Sequence, residues 1–167
     1  RGFFKDSQMI IGFSLSLAIG GLLAGVAAGR APRVWLGATV LGLGSALVAA
    51  LLVLVGGGAW AWHSAFTVGG EALQLRLDAI SAFFLVLLCV AGAAATVYAG
   101  GYWPDSEHPK SAGKGRVWWN VLLLSLLMIL LSSNGLHFLI AWEIFAISGY
   151  FLITLDRQRS EVRAAGW

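Results

Sequence analysis

Five stretches, residues 9–29, 34–55, 79–102, 117–133 and 136–155, are apolar runs, with charge gathered almost entirely in the gaps between them. Each holds about 17–25 residues, which at about 1.5 Å of rise per residue is the length that crosses a hydrocarbon core of about 30 Å. Hydrocarbon offers no water to backbone polar groups, so only helices and closed barrels span it, and Leu, Ala, Gly and Val runs without alternating polar residues specify helices. The fold class that follows is an all-α membrane protein with five transmembrane helices in one membrane domain. The chain is 59% hydrophobic and 11% charged with mean hydropathy +0.82, well beyond what a water-soluble domain of this size needs for a core.

The gaps orient the spans. With the N-terminus outside, the inside segments hold Arg30, Arg33, Lys110, Lys114, Arg116, Arg157, Arg159 and Arg163, and the outside segments hold only Arg1, Lys5 and Arg76. Eight against three is a positive-inside bias. Trp35, Trp60, Trp62, Trp103, Trp118 and Trp119 lie close to span ends, where amphipathic rings favour the headgroup region, while Trp142 sits deep. These basic residues cap apolar runs and form no single stripe, so the net charge of +3 reports membrane topology and not a nucleic-acid partner.

In the outer connection, residues 63–78, the period changes. Leu73, Leu75 and Leu77 alternate with Gln74, Arg76 and Asp78, and Gly69-Gly70 supplies a turn that tolerates positive φ, so a short β-hairpin on the outer surface is predicted. The inside loop, residues 104–116, is polar, and its "AGKG" lacks the spaced glycine and the Ser/Thr of a phosphate loop. "SSNG", residues 132–135, leaves room only for a tight turn, making the last two spans an antiparallel pair. Gly21, Gly25 and Gly29, and Ala91, Ala95 and Ala99, form small-residue faces that predict close helix packing. Cys89 is the single cysteine, which excludes an intramolecular disulfide and reads as a packing residue. A chain that starts at Arg1 and stops at Trp167 after a basic stretch reads as a piece of something longer, and the first run is too long for a signal-peptide core.

Only one acid, Glu143, stands inside a span. It follows Gly135 by eight residues, about 12 Å along a helix, which puts it near mid-depth. An ionised acid there costs about 2.5–3.5 kcal/mol even on the lenient insertion scale. A bound proton, a basic partner or a water-filled cavity can compensate, and each makes the group able to change protonation state near neutral pH. The bland alternative is a permanently protonated carboxyl hydrogen-bonded to a neighbouring helix. No Lys or Arg lies at similar depth in the five spans, so a basic partner has to come from beyond residue 167 or from another chain.

Tyr150 is seven residues on and nearly in line with Glu143. Its phenol either extends a proton path toward the inside or packs against a neighbour. His137, at the outer end of the same helix, either passes protons between bulk water and the path or caps the turn. Ser148 faces away and is expected to bond back to its own helix. His63, His108 and His137 fall in different loops without ligand spacing, which argues against a metal site. Asp78 is placed to cap the third span.

"LLLSLLMILLSSNGLHFLIAWEIFAISGYFLITLDRQRSEVRAAGW", residues 122–167, with "AWEIFAISGYFLI" as its most specific part, resembles the fourth and fifth helices of a known family. These are the antiporter-like membrane subunits shared by respiratory complex I, the Mrp-type sodium/proton antiporters and the membrane-bound hydrogenases. "LRLDAISAFFLVLL", residues 75–88, resembles the entry to their third helix, and the Arg-rich tail is most like the hydrogenase-type branch. The resemblance covers the last 90 residues or so; the first 60 or so match only in span number and composition. It implies a subunit of about fourteen spans with inverted five-helix repeats and broken mid-membrane helices, in a prokaryotic inner membrane. It also implies that Glu143 is the proton-translocating residue, working with a lysine on the seventh helix, beyond this chain. The expected function is proton translocation within a multisubunit redox-driven complex, with no electron chemistry in this chain and iron–sulfur or nickel–iron centres in partner subunits. The expected partners are the lipid bilayer, the other subunits, and protons or sodium. Two alternatives stand beside it: an Mrp-type sodium/proton antiporter subunit, and a structural scaffold with Glu143 as interhelical glue.

Overall fold

The structure, a computed structural model, describes residues 2–157 and 160–165. Its elements are α1 (Gly2–Ala27), α2 (Pro32–Gly56), β1 (Trp60–Val68), β2 (Glu71–Leu77), α3 (Ala79–Tyr102), α4 (Ala112–Leu131), α5 (Gly135–Ile153) and a short α6 (Ser160–Ala165). Helices α1 to α5 are each long and apolar enough to cross a membrane, and the chain is an integral membrane protein. The fourth helix begins five residues before the predicted run, because Ala112 to Arg116 form a polar first turn that a hydropathy reading leaves in the loop.

The local chemistry explains the element ends. Pro32 opens α2 where its missing N–H costs no helical bond, and Gly57 closes it at φ 67° with its N–H on the Val53 carbonyl. Asp78 caps α3, its carboxylate accepting from the Ser81 N–H at 3.0 Å. Strands β1 and β2 pair antiparallel from Trp60 opposite Leu77 to Val68 opposite Glu71, so the hairpin starts three residues earlier than the alternation suggested. Gly69 and Gly70 turn it at φ 65° and 89°, the two consecutive positive φ values that a tight two-residue hairpin turn demands. The ladder is irregular between His63 and Thr67, where the Ser64 hydroxyl donates to the Phe66 carbonyl and accepts from the Leu73 N–H at 3.0 Å.

Helices α1 to α4 form the core. Leu15, Leu22, Leu43, Leu85, Leu123 and Leu127 interlock there, and Leu75 and Leu77 of the hairpin close one end. Close approach is set by missing side chains: a Cβ on Gly21 would lie 2.8 Å from the Gly42 Cα, so α1 and α2 touch backbone to backbone. On α3 the inward positions are Gly92 and Thr96, and the predicted Ala91, Ala95 and Ala99 stripe is not buried. Helix α5 packs mainly on α4. It supplies no residue to the core cluster, and only 17% of its span is buried, against 28–39% for the other four.

Candidate functional site

The two sides of α5 differ in kind. Toward α4 it presents His137, Ala141 and Ser148, all buried. Away from α4 it presents Leu139, Trp142, Glu143, Ala146 and Ile147, all exposed. Glu143 is the ninth of nineteen helical residues, about 12 Å from one end and 15 Å from the other. Among the described residues its carboxyl has neither hydrogen bond nor ion pair, and the residue is exposed.

Tyr150 lies on this bare side as predicted, about 20° around the helix from Glu143. Its phenol oxygen accepts from Arg157 Nη2 at 2.9 Å, and the guanidinium also lies over its ring at 5.5 Å. The line from Glu143 through Tyr150 therefore ends at a cation just past the end of α5. Neighbouring Phe151 stacks on Trp118 of α4 with ring centroids 4.3 Å apart, which fixes this end of the helix pair.

His137 is not brought to Glu143. It faces α4 and the hairpin, 5% exposed, with Nε2 donating to the Val68 carbonyl at 3.1 Å. That bond leaves the neutral ring's Nδ1 as an acceptor, and it is the buried side-chain polar atom without a partner among the described residues. His137 lines a cavity of about 250 Å³ whose other walls include Leu73, Leu124, Met128 and Ile144, with Ser125 as the second polar side chain. The cap of α5 falls to Asn134, whose Oδ1 accepts from the Leu136 N–H at 2.8 Å. Ser148 bonds back to the Phe145 carbonyl at 2.8 Å.

Two polar clusters were not legible as sites. Asn120 is fully buried at the junction of α1, α2 and α4. Its Oδ1 accepts from Trp35 Nε1 at 2.7 Å, and its Nδ2 donates to the Leu22 carbonyl at 3.0 Å. These two partners fix the orientation of the amide. The Thr39 hydroxyl, 3.0 Å from the same Oδ1 and 2.7 Å from the Trp35 carbonyl, has one proton to share between them. Trp35, expected as an interfacial anchor, is thus an interior residue, 1% exposed. The signal was an amide four residues into the fourth run, too polar for hydrocarbon unless paired.

The second cluster is Arg116, expected only as a topology charge. It is 8% exposed, donates from Nε to the Gly29 carbonyl at 2.7 Å, and grips Asp105 with both terminal nitrogens at 2.9 and 2.7 Å. The bonded guanidinium holds the Asp105 carboxyl below its usual range against a smaller opposing effect of burial. Asp78 is likewise lowered, chiefly by the Ser81 N–H it caps.

No family model matches the chain. Over 92 residues it is 24% identical to hydrogenase-4 component B of Escherichia coli (strain K12), a stretch that is 55% of this chain and 14% of that protein. Its fold matches a chain in the structure of the membrane-bound sulfane sulfur reductase, an archaeal respiratory membrane complex, with TM-score 0.57 and 21% identity. This chain is similar to an antiporter-like subunit of respiratory membrane complexes. The structural match covers 84% of this chain and 23% of the other, so the sequence spans only a minor part of the length of either relative.

Proposed function

We propose that this chain is part of a membrane subunit of a hydrogenase-type, redox-driven complex, and that Glu143 carries protons across the middle of the membrane. The observation that carries the reading is the bare carboxyl: Glu143 sits at mid-helix on an apolar side of α5 with no partner among α1 to α4. Interhelical glue requires a neighbour to bond, and within this bundle Glu143 has none. Left against lipid, an ionised carboxylate is costly, so further protein of a subunit of about fourteen spans covers this face and supplies the charge or water that makes the group titratable.

In this mechanism Glu143 takes up a proton from a hydrated path, holds it as the neutral acid, and releases it when a nearby charge moves. A basic group on the covering helices favours the carboxylate, and its withdrawal favours the acid. Tyr150 and Arg157 line the way from Glu143 to the inner end. Energy reaches the site as a change in electrostatic surroundings. In this reading the redox centres, iron–sulfur or nickel–iron, belong to other subunits. His137 enters as an outer hydration point, its unpartnered Nδ1 accepting from water in the adjoining cavity. The similarity to hydrogenase-4 component B supports this over a sodium antiporter.

The test is Glu143→Gln in the intact complex reconstituted into vesicles. An amide has the shape of the acid but no exchangeable acidic proton, so electron transfer and subunit assembly should persist while proton uptake falls at least a hundredfold. Undiminished pumping with Gln would refute the proposal, and sodium-dependent exchange without redox partners would replace it with antiport.

A further inference from the structure

At the end of the bundle where the α1–α2 turn meets the loop between α3 and α4, a cleft of about 750 Å³ opens. Its rim carries Arg30, Lys110 and Lys114, all exposed. None of the three has a carboxylate partner among the described residues. The one carboxylate lining the cleft, Asp105, is held bidentate by Arg116, so it offsets that guanidinium and leaves the rim cations uncompensated. Helix α4 begins in the cleft and adds the positive end of a twenty-residue dipole. Its first turn has no acidic side chain, and the hydroxyl of its preceding Ser111 is taken by the Trp103 indole at 3.0 Å.

The chemistry changes with depth. Below the cations the walls are Val26 at the end of α1 and Val117 and Trp118 in the second turn of α4, and the half-buried Trp118 ring is of the kind that marks a headgroup boundary. An occupant has to present a multiply accepting anion to the rim and hydrocarbon to the wall beneath it. A soluble phosphate satisfies only the first demand, and an acidic polypeptide lying across the rim leaves the apolar wall to lipid. We propose that this cleft binds the phosphate headgroup of an anionic phospholipid, with an acyl chain lying against the apolar wall formed by Val26, Val117 and Trp118. Basic pockets between membrane helices suit such headgroups in general. The site is separate from Glu143 and stands whether or not that residue carries protons.

The experiment uses the protein purified with the subunits that co-isolate with it, stripped of lipid and placed in phosphatidylcholine nanodiscs containing a minor share of phosphatidylglycerol. Retained lipid is then read by native mass spectrometry. The wild type should keep one phosphatidylglycerol in preference to phosphatidylcholine. The Arg30→Gln/Lys110→Gln/Lys114→Gln variant should hold it on the order of a hundredfold more weakly, and Lys110→Gln/Lys114→Gln about twenty-five-fold, at roughly a factor of five per cation. Arg76→Gln, at the hairpin end, should leave retention unchanged, and all variants should elute as the wild type does, since every changed side chain is exposed. Equal retention by the triple variant overturns the proposal. So does displacement of the lipid by inorganic phosphate, or an acidic polypeptide cross-linked to Lys110 and Lys114 with no lipid retained.

Discussion

An ideal Cβ built on Gly25 lies 1.9 Å from Asn120 Nδ2, 2.8 Å from its Cγ and 2.9 Å from Thr39 Oγ1. Gly25→Ala therefore requires the carboxamide to leave its place. Asn120 is fully buried, so it leaves only by surrendering its bonds to Trp35 and Leu22. Overpacking of a tight core costs about 1–3 kcal/mol. Interhelical hydrogen bonds in membranes average about 0.6 kcal/mol and reach about 1.7, so two of them add about 1–3. The substitution should destabilise by about 2–6 kcal/mol. Asn120→Ala alone leaves the buried Trp35 N–H unpartnered, at about 1–3 kcal/mol. In the double variant the new methyl occupies space the carboxamide has vacated and the Asn120 bonds are lost only once, so its cost should fall short of the sum by about the whole Gly25→Ala cost, about 2–6 kcal/mol. Unfolding of the purified protein in mixed micelles, titrated with SDS and followed by tryptophan fluorescence, measures all three. A neutral Gly25→Ala, or strict additivity in the double variant, would refute the argument.

Other outcomes follow from the loops. Asp105→Asn removes the charge facing buried Arg116 and should cost about 1–2 kcal/mol at neutral pH, a charge-assisted interaction discounted for the half-exposed carboxylate; an unchanged melting temperature would contradict it. Because Asp105 is lowered from its ordinary 3.8, its contribution is complete above that pH and is lost as pH falls through the lower, folded value. Acid titration of wild type against Asp105→Asn should then show their stability difference closing only below about pH 4. In the hairpin, both turn glycines sit at positive φ. A Cβ at Gly70 meets nothing while one at Gly69 comes 2.9 Å from Leu136 Cδ2, so Gly70→Ala should cost about 1–2 kcal/mol and Gly69→Ala measurably more by thermal unfolding.

The residues themselves determine how many spanning helices there are, where the hairpin turns and that Glu143 falls near the middle of α5. Span length, alternation of Leu73, Leu75 and Leu77, paired glycines and an acid in the middle of a run are all local signals, set against a solvent that admits few backbone structures. Which way each helix faces was decided only by packing. The tertiary structure put Trp35 inside instead of at the interface, chose Gly92 and Thr96 over the neighbouring alanine stripe, turned Arg116 inward onto Asp105, and sent His137 and Glu143 to different sides of α5. In water a core-facing helix advertises its buried side as an apolar stripe. In hydrocarbon both sides are equally apolar, so the sequence of a spanning helix carries little record of its inner face, and the fit of small residues and paired polar groups settles it.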